Sequence, residues 1–235
     1  MSQHEEIARR IQRNWASVIE DVRSAAADSG RADDSVRVVG VSKYVDAPTT
    51  QLLVDAGCHD LGESRPQVLW QKAEQLGASD GLRWHMIGHV QTNKLRRMMR
   101  FNPLIHSVDS ERLLRAIDQE ARDHQRVVRV LLEVNISGDE SKTGLSPEEL
   151  RGLIEMQELP GVEIAGLMAM AGWGTEPDQA ASQFRDVAAL RDDLVRSTGQ
   201  GLAELSMGMS GDFREAIAAG STMVRIGSAL FEGVR

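Results

Sequence analysis

The chain has 235 residues and a net charge of −8, which argues against nucleic acid or an anionic membrane as partner, since both select basic patches. Apolar residues make up 41% of it, enough for a sizeable core, and no apolar run approaches the length that spans a bilayer. The polar N-terminus carries Glu5, Arg9 and Arg10, unlike a signal peptide, and the lone Cys58 cannot form an internal disulfide, so a cytoplasmic protein is expected. Cys58 reads as a small buried residue at a helix end in preference to a reactive thiol.

Ile7, Ile11, Trp15, Val18, Ile19 and Val22 recur at spacings of three and four, which predicts a helix from His4 to Ala27, ended by Ser29-Gly30. VRVVGVSK, from Val36, then reads as a strand ending on Lys43. A helix at Pro48–Ala56, a strand at Asp60–Ser64 and a helix at Pro66–Leu76 with proline in its first turn follow. Next come a strand at Arg83–His89, a helix at Thr92–Met99 and a strand at Leu104–Val108. Asp109 or Ser110 caps a helix that ends near Arg122. Val127–Asn135 is a β-branched strand, and a loop of Ser, Gly and Asp leads to a helix at Pro147–Gln157. The last third gives strands at Val162–Met170, Leu202–Met209 and Met223–Leu230, with helices at Pro177–Arg196 and Asp212–Ala219.

Eight strands, seven of them followed by helices, imply parallel pairing with right-handed crossovers. A single (β/α)8 barrel is the simplest closure, with residues 1–28 as a helix covering the place of the missing eighth helix. A doubly wound open sheet is the alternative. Residues 1–235 read as one domain, without linker or low-complexity tract.

Functional residues of such a barrel lie at the carboxyl ends of its strands. Those positions are Lys43, Glu63-Ser64, His89, Asp109, Asn135, Met170, Ser210 and Gly227-Ser228. A desolvated Lys43 would be a neutral nucleophile for carbonyls, while position alone favours its snorkelling into solvent. SMGMSGD, Ser206 to Asp212, and VRIGSA, Val224 to Ala229, sit where barrel phosphate sites form, after strands seven and eight. Ordinary turn glycines with a serine cap are the other reading. Arg225 alternates with Val224 and Ile226, and if it faces inward it needs a partner; a salt bridge to a buried carboxylate is one reading and is compatible with a ligand role. His85 and His89 have no Cys or carboxylate nearby to complete a zinc set, so a loop-lining histidine is expected and no metal. The Met-rich LMAM and SMGM segments read as barrel core.

The segments VGVSKYV around Lys43, LGESRPQ (61–67), WHMIGHVQTNK (84–94), HSVDS from His106, VNISGDESKTGL from Val134, SMGMSGDFREAI from Ser206 and GSTMVRIGSALF from Gly220 carry a family resemblance. The chain resembles the pyridoxal phosphate homeostasis proteins over nearly its whole length. The resemblance implies a type III, alanine racemase-like barrel that holds pyridoxal 5′-phosphate as a Schiff base on Lys43. It implies phosphate contacts at Ser210, Gly227 and Ser228, Arg225 near the pyridine nitrogen, and Ser64 near the cofactor where the family usually has asparagine. It further implies a monomeric carrier or buffer in vitamin B6 balance, with no established catalytic activity and with apo-enzymes as possible recipients. Glu232 before Gly233 departs from the family's usual ending.

Racemisation needs acid–base groups on both faces of the cofactor. The only tyrosine, Tyr44, adjoins Lys43, and neighbours on a strand point to opposite sides, which places it poorly as the opposing acid unless the strand has already ended there. No segment follows the last strand beyond Leu230 to Arg235, where racemases carry a β domain. An arginine at the ring nitrogen also disfavours its protonation. These readings favour carrier over racemase. Lys142, in the loop after the fifth strand, offers a second amine for transfer of the aldehyde.

Overall fold

The computed structural model describes residues 2–77, 81–136, 143–156, 159–172, 174 and 176–234. Helix α1, Gln3–Asp28, starts at Ser2, whose hydroxyl accepts from the Glu5 amide while the Glu5 carboxylate accepts from the Ser2 amide. This reciprocal capping satisfies two amides that a helix start leaves open.

The strands are β1 (Arg37–Val41), β2 (Asp60–Glu63), β3 (Arg83–Met86), β4 (Leu104–Val108), β5 (Val128–Glu133), β6 (Val162–Met168), β7 (Glu204–Met209) and β8 (Met223–Ile226). All pair in parallel in chain order, and β8 closes onto β1 with Val39 beside Arg225 and Gly40 beside Ile226. Closure excludes the open sheet. Helices α2 (Ala47–Asp55), α3 (Pro66–Leu76), α4 (Leu95–Met98), α5 (Glu111–Asp123), α6 (Pro147–Glu155), α7 (Pro177–Thr198) and α8 (Phe213–Ala218) follow β1 to β7 in turn. Among the described residues the element that follows β8 is a 3-10 turn, Ser228–Phe231. Helix α1 packs against that turn and against α8 and α2, and the Asn14 amide donates to the carbonyls of Leu230 and Glu232, each at 3.1 Å. It fills the eighth helix position.

Alternation along the strands divides the core in two. Leu61, Ile105, Leu132, Leu167, Leu205 and Val224 point outward under the helices. Val39, Leu104, Leu131, Ala165, Met168 and Met223 form a smaller cluster inside the barrel. Cys58 is buried in the outer layer, where burial pushes its thiol up to about 12, so it is inert packing.

Several strands stop short of the lengths their apolar runs suggest. β1 ends at Val41 instead of Lys43, β3 at Met86 instead of His89, β6 at Met168 instead of Met170, and β8 at Ile226 instead of Leu230. Leu230 and Phe231 remain buried after leaving the ladder, so hydropathy persists where strand pairing has ended. The helix expected over Thr92–Met99 is instead a 3-10 turn at Thr92–Lys94, α4, and a second 3-10 turn at Met99–Phe101. Asn102 closes it in the left-handed region at φ 45°, just before Pro103 removes the next amide. Among the described residues no helix is long and apolar enough to cross a membrane.

Candidate functional site

Lys43 lies past the end of β1, in a turn closed by the Val45 amide donating to the Ser42 carbonyl at 3.0 Å. Its side chain is half-buried, with Nζ 4.9 Å from the centre of the Tyr44 ring. Tyr44 is 68% exposed and leaves the strand with Lys43, so strand alternation does not separate the two. It lies against the lysine, not across from it.

A buried triad anchors this turn from below. Lys72 on α3 donates through Nζ to Glu63 Oε1 at 2.5 Å and to the Ser42 carbonyl at 2.8 Å, and the Ser42 hydroxyl donates to the same Glu63 oxygen at 2.7 Å. Pairing is what permits two charges at this depth. The carboxylate and ammonium thereby fix the residue that precedes Lys43. Lys72 was not anticipated from the sequence; its one visible sign is its place beside Ala73 and three positions after Leu69 on the apolar face of α3.

Arg225 faces inward on β8 and is buried, as alternation allowed, but its partners are not a carboxylate. Nη1 donates to the Ser206 carbonyl at 2.6 Å and to its hydroxyl at 2.7 Å, and Nη2 donates to the Ala169 carbonyl at 3.0 Å. Burial lowers the guanidinium to about 10, opposed by the more distant charges of Asp212 and Glu133, so it stays charged at neutral pH. Burial also raises the carboxyls of Glu133 and Asp212, and Thr143 donates to Glu133 at 2.7 Å.

The loops after β7 and β8 meet at a hydrogen bond, the Gly227 amide donating to the Ser210 hydroxyl at 3.3 Å. Gly227 and Ser228 lie just beyond the strand, not on it, and Ser228 opens the 3-10 turn. The Met209 amide donates to Asp212 at 2.6 Å, which tightens the β7 loop. Gly208 takes φ 89°, and a Cβ there would come within 2.6 Å of the Ala216 Cβ, so glycine alone lets α8 close on the strand end. A Cβ on Gly211 would meet nothing within 4 Å, leaving open space beside the Ser210–Gly211 backbone.

On the other side of Lys43, Ser64 follows β2 and is half-buried. A Cβ on Gly88 would sit 2.3 Å from the Ser64 carbonyl, so that glycine lets the loops of β2 and β3 touch. His89 is exposed and pairs through Nδ1 with Asp109 at 3.2 Å, at the ends of β3 and β4. His85 does not line a loop: it is buried within the barrel. Among the described residues no three His, Cys, Asp or Glu side chains group as a metal set. The methionine segments divide, Met168 and Met207 lying in the core while Met170 and Met209 are 47% and 40% exposed. The core reading fails for the latter pair because β6 and β7 end beside them. Lys142 lies outside the described residues.

One primary amine, two loops of small residues with amides and hydroxyls, and a donor-only guanidinium thus stand at the ends of β1, β7 and β8. That donor set suits a molecule bearing an aldehyde, a phosphate and an acceptor nitrogen.

Known proteins share this chain's sequence and architecture. The family described as alanine racemase, N-terminal domain, matches residues 16–234. A pyridoxal phosphate homeostasis protein of Aquifex aeolicus is 40% identical over 215 residues, covering 91% of this chain and 94% of that one. A crystal structure of an unknown protein from Bifidobacterium adolescentis superposes with a TM-score of 0.90 at 33% identity, covering 98% and 97% of the two chains. PipY of Synechococcus elongatus, solved with pyridoxal phosphate bound, superposes at 0.83 with 31% identity, covering 94% of this chain and 99% of that one.

Proposed function

The chain belongs to the pyridoxal phosphate homeostasis protein family, built on the alanine racemase N-terminal domain, and from that premise we propose that it binds pyridoxal 5′-phosphate in its barrel mouth as a carrier. Arg225 is the observation that carries this reading. It is a buried guanidinium with no carboxylate in ion-pair contact among the described residues, on the strand paired with the one leading into Lys43. Burying such a charge is costly unless something uses it.

Lys43 Nζ condenses with the cofactor aldehyde, forming a C=N bond and releasing water. Ser210, Gly227 and Ser228 hold the phosphate, and Ser64 borders the opposite side. Arg225 meets the ring nitrogen; a guanidinium only donates, so it leaves that nitrogen unprotonated. Bound pyridoxal phosphate supplies an electron sink for carbanions, strongest when its ring nitrogen is protonated. Arg225 therefore works against turnover, and Tyr44 lies beside Lys43 where a racemase needs a second acid opposite it. The whole chain acts as one cofactor-binding barrel, a cytoplasmic monomer that hands its cargo to apo-enzymes.

Adding pyridoxal phosphate to the apo-protein should produce a visible absorption band that Lys43→Ala abolishes. A spectrum identical in the two proteins would overturn the reading.

One observation favours a second reading, amino-acid turnover: the exposed His89, oriented by Asp109 at the mouth, is built like an acid–base pair. Lys43-dependent exchange of a substrate's α-hydrogen with solvent would select it.

A further inference from the structure

Arg225 is the last member of a hydrogen-bond chain that crosses the barrel interior on five strands. Its Nη1 contacts Ser206 Oγ at 2.7 Å. Ser206 Oγ lies 2.9 Å from His106 Nδ1, His106 Nε2 lies 2.9 Å from His85 Nδ1, and His85 Nε2 lies 2.9 Å from Asp60 Oδ1. Arg83 closes the far end with bonds of 2.7 and 2.6 Å to the two Asp60 oxygens. All five members from Asp60 to Arg225 are buried.

The proton positions in this chain follow from its ends. Arginine only donates and a carboxylate only accepts. Burial pushes Asp60 up, but the bonds from Arg83 and His85 outweigh it and hold the carboxyl below its ordinary range, so it is ionised. His85 therefore carries its hydrogen on Nε2, and its Nδ1 accepts from His106 Nε2. His106 Nδ1 then accepts the Ser206 hydroxyl hydrogen, and Ser206 Oγ accepts from Arg225. A positive charge on either histidine would put a hydrogen on His106 Nδ1 and point it at Ser206 Oγ. The buried serine hydrogen would then have no acceptor, since among the described residues Ser206 Oγ meets only His106 and Arg225. Burial lowers both imidazoles, which agrees with two neutral rings.

We propose that Ser206, His106 and His85 are positioning residues that hold Arg225 in a single donor orientation, in a one-way relay ending on Asp60, and thereby set the protonation state of the cofactor's ring nitrogen. This rests on the cofactor reading above. Every bond points from the arginine toward the aspartate, so each polarises the next. The relay occupies Nη1, the Ala169 carbonyl takes Nη2, and none of these bonds engages Nε. The guanidinium cannot rotate without breaking the chain.

Two measurements test this. In the apo-protein, 15N-resolved histidine spectra at pH 7 should show His85 and His106 neutral with hydrogen on Nε2; hydrogen on His106 Nδ1, or a charged ring, overturns the relay. Ser206→Ala keeps the backbone carbonyl that anchors Arg225 and removes only the link. It should weaken pyridoxal phosphate binding about 3- to 10-fold, the range of one hydrogen bond, and shift the pH midpoint of the bound cofactor's visible band. An unchanged midpoint and affinity overturn the relay. If the unsubstituted protein forms no visible band, the cofactor reading fails, while the histidine spectra still decide the proton order.

Discussion

Gly227 donates its amide to the Ser210 hydroxyl at 3.3 Å, joining the loop after β7 to the loop after β8. This contact makes one cradle of two segments that lie 17 residues apart. Ser210→Ala removes a hydroxyl that shapes the cradle and that the proposed function assigns to the phosphate. Affinity for pyridoxal phosphate should fall about 10- to 150-fold, the range for a hydrogen bond to a charged group, as read by absorbance titration. Affinity for pyridoxal, which lacks the phosphate, should change much less. Equal losses for the two would contradict a phosphate role.

Lys72 and Glu63 form a buried ion pair directly beneath the Lys43 turn. Lys72→Met leaves the Glu63 carboxylate without its cation and should cost about 3–5 kcal/mol in urea unfolding. Adding Glu63→Gln removes the stranded charge and should recover part of that loss. A double variant no more stable than Lys72→Met would contradict the pairing argument.

The helices, strands and chain order of the barrel were legible in the sequence because each unit buries one apolar face at its own period. The strand ends were not, since Leu230 and Phe231 stay apolar and buried after the ladder stops. Lys43, Ser210, Gly227 and Ser228 were singled out by their position after strands, a criterion that tolerates an error of two residues, and the structure places all four just beyond β1, β7 and β8. The relay was missed. His106 and Ser206 sit inside strands whose neighbours are apolar, and His85 was weighed only with His89, as a possible metal pair. The signal available was alternation: a polar residue between apolar neighbours on a parallel strand faces the barrel interior and needs a partner there. Applied to Arg225, that rule found the inward guanidinium but not its partners, which are carbonyls and a hydroxyl contributed by other strands.

The two buried histidines predict a pH dependence. Unfolded histidine takes up a proton near pH 6.5. Burial, reinforced for His106 by the charge of neighbouring groups, lowers both imidazoles in the fold, so they bind that proton only at more acidic pH. As pH falls below about 6.5 the unfolded state holds more protons, and folding stability drops by up to about 1.4 kcal/mol per pH unit for each histidine. Above that pH their contribution is fully present. Urea midpoints between pH 7.5 and 5.5, as a test range of roughly two units, should fall toward acid, and His106→Leu should flatten the slope. A slope unchanged in that variant would exclude His106 as a source.

Lys43 carries the central claim, that the barrel mouth holds pyridoxal phosphate covalently. Borohydride reduction of the cofactor-treated protein, followed by peptide mass mapping, tests it most directly. The account predicts one stable phosphopyridoxyl adduct, on the peptide containing Lys43. An adduct confined to other lysines, or none at all, would contradict it.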